Sequence, residues 1–273
     1  MKVAAIQMKV GEDKIENVIN AGMYIKDMAR LGVDLVVLPE MFCCPYQTEL
    51  FPLYAEKEGG VVWQILSSLA KQYGIYLVAG SMPELGEENR IYNTSFIFDR
   101  EGKQIGKHRK NHLFDINVTG GQYFKESDTL CAGEDLTLFE TEFGTMGVCI
   151  CFDIRFPEMF HEMTKQGAKM VFVPAAFNMT TGPAHWELLF RARALDGQIF
   201  VMGCAPARQE TAGYQSFGHS ILTDPWGRVV KQLEEKEGVL IEQIEWEVEH
   251  KVRQEIPLLR NKNNKMVASN LLN

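Results

Sequence analysis

The hydrophobic positions of the chain fall into two kinds of stretch that follow one another in turn. Short continuous apolar runs, ended by Pro, Gly or a polar residue, are typical of strands buried on both faces. Longer stretches with apolar residues three or four positions apart are typical of helices with one buried face. The apolar runs predict strands at residues 3–8, 35–40, 75–79, 93–98, 136–140, 145–151, 170–174, 199–204, 220–223 and 239–244.

The helical spacing predicts several helices between these strands. Gly32 and Gly74 follow two of the periodic stretches, and glycine is a common stop signal for a helix. Strands that alternate with helices indicate an α/β fold. The predicted helices lie at residues 14–31, 61–73 and 185–196, with another that begins at about Pro157.

The same rhythm continues along the whole chain of 273 residues. No linker rich in Pro, Gly or Ser interrupts it. We therefore predict a single domain over residues 1–273, although the length alone also fits two domains. We expect the polar tail from about 257 to 273 to lie at the surface or at a dimer interface.

Composition and charge narrow the class of protein. Hydrophobic residues make up 46% of the chain and charged residues 23%, as in ordinary globular proteins. The net charge of −8 argues against a nucleic-acid binder, because phosphate contacts need an excess of Lys and Arg. No run approaches the ~18 apolar residues of a membrane span, and the N-terminus lacks the apolar core of a signal peptide. We expect a soluble cytoplasmic protein that binds no nucleic acid and no membrane.

The six cysteines match neither a disulfide framework nor a structural zinc site, since no Cys-x-x-Cys spacing occurs. Cys149 and Cys151 form a Cys-x-Cys pair without a third ligand at a fixed spacing. A redox or metal module on this pair is one hypothesis, and it would bind stoichiometric zinc or another metal. Strand alternation places both thiols on one face, but only Cys151 borders a loop, which makes it the better candidate nucleophile.

Three reactive side chains stand at the ends of apolar runs or in loops between them. Glu40 ends LVVLPE, Cys151 ends GVCIC, and Lys110 lies in GKHRKNHLFD. Ligand sites of α/β sheets gather at the carboxyl ends of strands, and a buried carboxylate suits a general base. Each residue also has a structural interpretation: a strand-end carboxylate, a buried thiol and a charged surface turn. His108 and His112 flank the lysine, but neither is a clearly better partner for the thiol than Glu40.

The segments LPEMF, HRKNHLFD and GVCICFDIRFPE, in this order, resemble the Glu–Lys–Cys motifs of the nitrilase superfamily of carbon–nitrogen hydrolases. The resemblance implies that Glu40 is the general base and Cys151 the nucleophile. It also implies that Lys110 stabilises the oxyanion, to which the backbone N–H of Phe152 is a second candidate donor. YFKESDTLCAGE is similar to the second-glutamate region of this family, so Glu126 is expected to orient the lysine and the substrate.

The same resemblance implies a four-layer α-β-β-α sandwich, a homodimer, and a reaction that needs no metal and no organic cofactor. Residues 177–198 and GHSILTDPWG look most like the omega-amidase branch. Members of that branch hydrolyse the terminal amide of 2-oxoglutaramate and 2-oxosuccinamate. The implied reactants are therefore a small-molecule amide and water, which give acid and ammonia through a thioester. Asn117 and Thr119 depart from the Asp and Pro expected in that branch.

A substrate of this kind carries a carboxylate, so its pocket needs a cation or a helix N-terminus. Arg155 lies near the nucleophile, although a structural pair with Asp153 or Glu158 is an equal alternative. Thr180 and Thr181 precede a predicted helix. Their hydroxyls would either cap that helix, or its N-terminus would receive an anion. Phe177 and Trp186 would either line the pocket or be ordinary aromatic residues of the core. The candidate substrate-binding residues are Arg155, Phe177, Thr180, Thr181, His185 and Trp186.

Two other functions fit the same motifs. The first is a related enzyme that cleaves N-carbamoyl compounds, other aliphatic amides or nitriles, and carbon dioxide beside ammonia would identify carbamoyl cleavage. The second belongs to another class: a catalytically inactive binding or regulatory protein that has kept the fold. The intact glutamate, lysine and cysteine argue against this second function.

Overall fold

The computed structural model of the chain describes residues 1–119 and 122–261. Within this part, none of the helices is long and apolar enough to cross a membrane. The helices are Lys14–Arg30 (α1), Phe51–Tyr54 (α2), Val61–Tyr73 (α3), Pro157–Lys165 (α4), Gly182–Gly197 (α5), Trp246–Glu255 (α6) and Leu258–Asn261 (α7).

The strands follow the predicted alternation with the helices and add several short edge and loop strands. They are Lys2–Gln7 (β1), Leu35–Val37 (β2), Tyr76–Val78 (β3), Met82–Leu85 (β4), Ile91–Phe98 (β5), Gln104–Arg109 (β6), Asp115–Asn117 (β7), Tyr123–Lys125 (β8), Thr137–Thr141 (β9), Gly144–Val148 (β10), Met170–Pro174 (β11), Phe200–Cys204 (β12), Ile221–Thr223 (β13), Val229–Gln232 (β14) and Gly238–Gln243 (β15).

Two large sheets carry the fold. The first has the order β15-β1-β2-β3-β5-β4, with β6 paired to β5, and the second has the order β14-β13-β12-β11-β10-β9. Strands β1, β2 and β3 run parallel in the first sheet, as do β10, β11 and β12 in the second. Antiparallel strands flank both parallel centres, and β7 and β8 form a separate hairpin.

Alternation along β1 shows how the first sheet is covered on both faces. Val3 and Ala5 share a core cluster with Met146 of β10, so this face packs on the second sheet. Ala4 and Ile6 point the other way, into a second cluster that contains residues of α1 and α3. Every second residue of a strand faces the same side, which is why one apolar run serves two cores.

The second sheet repeats this arrangement with α4 and α5. Phe172 of β11 faces the first sheet, whereas Val171 and Val173 pack with Phe160 of α4 and Phe190 of α5. The order of layers is therefore helix, sheet, sheet, helix. This confirms the predicted α/β fold and its four-layer α-β-β-α sandwich.

Elements with few apolar residues are absent from the sequence-based prediction. β4 contains Pro83 and Glu84 within four residues, and proline is tolerated there because β4 lies at a sheet edge. The mostly polar α6 has two buried residues, Glu249 and Val252. The predicted tail begins with α7, and residues 262–273 lie outside the described part of the chain. The single domain stays a prediction.

Candidate active site

The candidate catalytic residues follow strands whose ends meet at one edge of the sandwich. Glu40 comes three residues after β2, Lys110 directly follows β6, and Cys151 comes three residues after β10. Glu126 begins a short 3₁₀ turn directly after β8. Because side chains at strand ends are fixed by the sheets behind them, four distant segments of the chain bring their reactive groups to one place.

Lys110 is the centre of this cluster. Its Nζ lies 3.0 Å from Oε1 of Glu40 and 2.9 Å from the carboxylate of Glu126. The lysine and Glu126 are fully buried, and Glu40 and Cys151 are only 1% and 3% exposed. The interpretation of Lys110 as part of a charged surface turn is therefore wrong.

Backbone and side-chain donors hold Glu40 in place. Its Oε2 accepts the N–H of Ala176 at 2.7 Å, and its Oε1 accepts Nδ2 of Asn93 at 2.8 Å. Asn93 lies on β5, where its backbone carbonyl also accepts the N–H of Lys110. These contacts link the first sheet, the lysine and the loop after β11 into one rigid unit.

Glu126 is held in a similar way by Phe114, whose N–H donates to Oε2 at 2.7 Å. The hydroxyl of Tyr46 donates to Oε1 of the same carboxylate at 2.6 Å. Tyr46, Asn93, Ala176 and Phe114 were not found from the sequence. A weak signal exists only for Asn93, since the polar Asn-Thr-Ser triplet interrupts the apolar run of β5.

The charges in the cluster depend on one another. Burial alone would lower the pKa of Lys110, but the charges of Glu126 and Glu40 outweigh it and hold that pKa far above its usual value. Burial raises the pKa of Glu126 even though the lysine opposes this shift. Lys110 is therefore a permanent cation, whereas burial makes the carboxyl of Glu126 a weaker acid.

Cys151 has an unusual backbone conformation. Its φ is +48°, in the left-handed region that non-glycine residues rarely adopt, and it begins a 3₁₀ helix at Cys151–Arg155. Strain of this kind persists only where the surrounding structure enforces it, and it is common at functional sites. The predicted strand at 145–151 in fact ends at Val148, so alternation does not decide which thiol is reactive. Cys149 is fully buried in the core between β10 and the helices.

The thiol of Cys151 is a weak acid in this site. Burial raises its pKa well above the usual value, the charge of Glu40 raises it further, and Lys110 opposes both. The resting residue is therefore a neutral thiol, and it needs a base within reach to become a nucleophile.

Asp153 explains the positions of the two histidines that flank the lysine segment. Its Oδ2 lies 3.0 Å from Nε2 of His108, and its Oδ1 accepts both the N–H and Nδ1 of His112 at 2.9 Å. Burial would raise the pKa of Asp153, but the hydrogen bonds from these histidines outweigh it and hold the pKa below its usual range. Both histidines therefore bind this carboxylate and do not pair with the thiol.

Arg155 is a half-buried cation next to the nucleophile turn. Its Nη1 lies 3.3 Å from Nδ1 of His185, and its guanidinium stands over the rings of Phe152 and Phe177 at 5.3 and 5.2 Å. Its Nε is buried without a hydrogen-bond partner among the described residues. The alternative of a structural pair with Asp153 or Glu158 is wrong, since no such ion pair forms within the described chain.

The remaining substrate-binding candidates separate into two groups. Trp186 is a core residue: it is 1% exposed and donates Nε1 to the carbonyl of His219. A direct role for Trp186 in the pocket stays a prediction. Phe177 packs between the indole of Trp186 and the guanidinium of Arg155. Phe177, Arg155 and His185 therefore form one group, and Trp186 packs against Phe177 on the side of the core.

The start of α5 is organised by a residue that the sequence did not reveal. Oδ1 of Asn178 accepts the N–H groups of Thr180 and Thr181 and the hydroxyl of Thr181. Thr181 donates its hydroxyl here, so it does not cap the helix, which begins at Gly182 rather than at the predicted His185. Asn178 fixes the loop that leads into the helix.

Comparison with known proteins gives the family. The carbon-nitrogen hydrolase family profile matches residues 2–254. The chain belongs to the carbon–nitrogen hydrolase family. This carbon–nitrogen hydrolase is 44% identical over 269 residues to a protein of Danio rerio named omega-amidase NIT2, covering 98% of this chain and 97% of that one. It is 40% identical over 267 residues to the Homo sapiens omega-amidase NIT2, covering 98% and 96%.

A solved structure agrees with this assignment. Saccharomyces cerevisiae Nit3, described as a member of branch 10 of the nitrilase superfamily, superposes on this enzyme with a TM-score of 0.88. The two chains are 41% identical, and the match covers 96% of each. The family and fold predicted from the three motifs are thus confirmed. Within residues 1–119 and 122–261, no group of three or more His, Cys, Asp or Glu side chains is arranged to hold a metal ion.

Proposed function

We propose that this enzyme is a cysteine-dependent amidase acting on small 2-oxo dicarboxylate monoamides, 2-oxoglutaramate and 2-oxosuccinamate. The observation that carries the proposal is a buried Glu40–Lys110–Cys151 cluster beside Arg155, whose Nε has no hydrogen-bond partner among the described residues. The cluster suits amide hydrolysis, and the guanidinium of Arg155 suits an anionic substrate. The relatives named omega-amidase support the same assignment.

The first half of the reaction forms a thioester. The sulfur of Cys151 attacks the amide carbon, its proton passes to Glu40, and the carbonyl electrons move to the oxygen. Lys110 and the backbone N–H of Phe152 stabilise this negative oxygen, and one such donor is worth about 3–4 kcal/mol. Glu40 then donates its proton to the nitrogen, the carbon–nitrogen bond breaks, and ammonia leaves.

The second half consumes water. Glu40, again a carboxylate, takes a proton from a water molecule that attacks the thioester carbon. The carbon–sulfur bond breaks, the thiolate recovers the proton from Glu40, and the product acid leaves. Glu126 keeps Lys110 in position through both halves, because its carboxylate is fixed by the N–H of Phe114 and by Tyr46.

Arg155 supplies the site for the distal carboxylate of the substrate. Its guanidinium stands over the rings of Phe152 and Phe177, and its Nε has no protein partner among the described residues. A planar guanidinium binds a carboxylate through two parallel hydrogen bonds, whereas an uncharged amide lacks this contact. Phe177 and His185 hold the arginine, and the exposed Thr180 beside the start of α5 remains a further candidate contact.

A substrate panel tests this proposal. The wild type should release ammonia from 2-oxoglutaramate faster than from succinamate, N-carbamoyl compounds or nitriles, and Cys151→Ala should abolish the release. Carbon dioxide from a carbamoyl compound would favour the related hydrolase instead. No turnover of any compound, together with no labelling of Cys151 by iodoacetamide, would favour a binding protein.

A homodimer and a cytoplasmic location complete the proposal. Leu188 and Leu195 form an exposed stripe along α5, and Trp226 is exposed beside them on the turn after β13. Arg191 ties this turn to the helix by donating Nε to the carbonyl of Gly227. Large exposed apolar side chains of this kind favour a protein partner, here a second copy of the chain. A reducing cytoplasm would keep the nucleophile a thiol.

A further inference from the structure

Tyr46 contacts all three charged groups of the site. Its hydroxyl lies 2.6 Å from Oε1 of Glu126, 3.2 Å from Oε1 of Glu40 and 3.4 Å from Nζ of Lys110. In the described chain, the only other side chain that contacts both carboxylates is the lysine itself. Tyr46 is therefore placed to affect how the two glutamates share charge and protons.

The hydrogen atoms can be assigned from chemistry. An ionised carboxylate only accepts, an ammonium only donates, and a phenol has one hydrogen to give. The hydroxyl of Tyr46 therefore accepts from Lys110 and gives its hydrogen to the nearer carboxylate, that of Glu126. Burial and the charges of Glu126 and Glu40 raise the pKa of Tyr46 well above its usual value, so it remains a donor.

The site needs this donor because it holds two carboxylates and one lysine. Burial raises the pKa of Glu126, and the neighbouring charge of Glu40 raises it further, whereas Lys110 and the hydroxyl of Tyr46 oppose the rise. The other titratable groups that face the cluster are the thiol of Cys151 and the phenol of Tyr214. Without the hydrogen bond from Tyr46, the pair of glutamates would bind a proton at a higher pH.

We propose that Tyr46 is a positioning residue that keeps Glu126 ionised, so that Glu40 is the carboxylate that accepts the proton of Cys151. This inference rests on the proposed amidase reaction and assigns different tasks to its two glutamates. Glu126 stays charged and holds the lysine, and Glu40 moves the proton. Tyr46 acts through these two carboxylates and takes no proton from the thiol itself.

The ring of Tyr46 is held independently of its hydroxyl. Its centroid lies 5.7 Å from that of Phe51, 5.5 Å from that of Phe124 and 4.5 Å from that of Tyr214. A phenylalanine would therefore occupy the same place, since aromatic packing does not require the oxygen. Tyr46→Phe therefore removes only the hydroxyl and its contacts with Glu126, Glu40 and Lys110.

The test is the dependence of kcat/KM on pH for ammonia release from 2-oxoglutaramate. The acid limb is the range in which kcat/KM falls as the pH is lowered. In Tyr46→Phe this limb should move to higher pH by about one unit, roughly the effect of one hydrogen bond on a carboxylate. Above that limb kcat should stay within about tenfold of the wild type. Tyr214→Phe is the matched control: its hydroxyl donates to the carbonyl of Ala176 and not to a carboxylate, so its limb should coincide with that of the wild type.

A second measurement separates this inference from the proposed function. The rate at which iodoacetamide alkylates Cys151, followed by peptide mass spectrometry, needs no amide substrate, and its acid limb should also move up in Tyr46→Phe. Wild-type protein that releases no ammonia would refute the proposed function, and the alkylation profile would still test Tyr46. Profiles that coincide with the wild type, or a lower melting temperature without a shifted limb, would overturn the role of Tyr46.

Discussion

Lys110 is the cation that two buried carboxyl groups, those of Glu40 and Glu126, share. Removing an ionised group from water costs several kcal/mol, and this cost is offset only by close, well-formed contacts. Glu40 and Glu126 each receive the ammonium, one backbone N–H and a side-chain donor. The cluster is therefore stable as a set, and the loss of its single cation affects folding as well as catalysis.

Replacing Lys110 by methionine should lower the free energy of unfolding by about 3–5 kcal/mol at pH 7, because two buried carboxylates lose their partner. The deficit should shrink at pH 5. Without the ammonium that opposes it, burial raises the folded-state pKa of Glu126 further above its unfolded value, so the variant gains stability as the pH falls through that pKa. Urea unfolding at the two pH values measures both effects.

Lys107→Met is the matched control for that variant. Lys107 lies on β6, which Lys110 directly follows. It is partly exposed and pairs with Glu58 at the surface and, at 3.3 Å, with Glu84, which keeps Arg109 as a closer partner. Exposed ion pairs contribute little, so this variant should lose less than about 1 kcal/mol and retain its activity. Equal losses in the two lysine variants would mean that the buried cation has no special role.

The sequence motifs predicted four side chains of the site but not the groups that hold them. Glu40, Lys110, Glu126 and Cys151 stand in recognisable local patterns. Tyr46 has no such pattern: its role depends on contacts with residues that are 64 and 80 positions away. Partners of this kind are set by the three-dimensional approach of separate loops, which a single sequence does not show.

At the level of elements, the parallel strands position the site through close packing on their helices. Gly203 of β12 shows how close this packing is. A Cβ built at Gly203 would lie 2.4 Å from the ring of Phe190 and 3.0 Å from that of Trp186, both on α5. Only a residue without a side chain lets the helix approach the sheet to this distance.

Gly203→Ala should therefore cost about 1–3 kcal/mol of unfolding free energy, because the rings of α5 cannot move away without disturbing the core. Gly11→Ala is the control, since its Cβ would meet only Asn17 at an ordinary 3.7 Å. Chemical denaturation of both variants decides the matter. An unchanged midpoint for Gly203→Ala would show that α5 is free to shift.

The elements also mark where periodicity stops being informative. Continuous apolar runs located the parallel strands well, because burial on both faces leaves little choice of residue. The run through Cys151 continued beyond the end of β10, since apolar residues also line the turn after it. Hydrophobicity reports burial there, whereas the left-handed backbone of Cys151 comes from the tertiary structure.

For the molecule as a whole, the site needs both sheets. Glu40 and Lys110 follow strands of the first sheet, and Cys151 and Ala176 follow strands of the second. The net charge of −8 therefore says little about the substrate. In the proposed function, recognition of an anionic amide depends on one local guanidinium, that of Arg155, rather than on the field of the surface.

The proposed dimer belongs to this scale. Leu195→Glu places a charge on the exposed stripe of α5, where it would be desolvated in an interface. We expect the mass measured by light scattering to fall from that of two chains to that of one. Glu187→Gln, on an exposed position of the same helix, should leave the mass unchanged. A wild type that is already monomeric would contradict the dimer.

The central claim is that Cys151 carries the acyl group of a 2-oxo dicarboxylate monoamide during turnover. Its most direct test is acid quenching of the enzyme during hydrolysis of 2-oxoglutaramate, followed by peptide mass spectrometry. We expect an acyl adduct on the peptide that contains Cys151, and neither adduct nor ammonia from Cys151→Ala. Ammonia release by Cys151→Ala at the wild-type rate would contradict it.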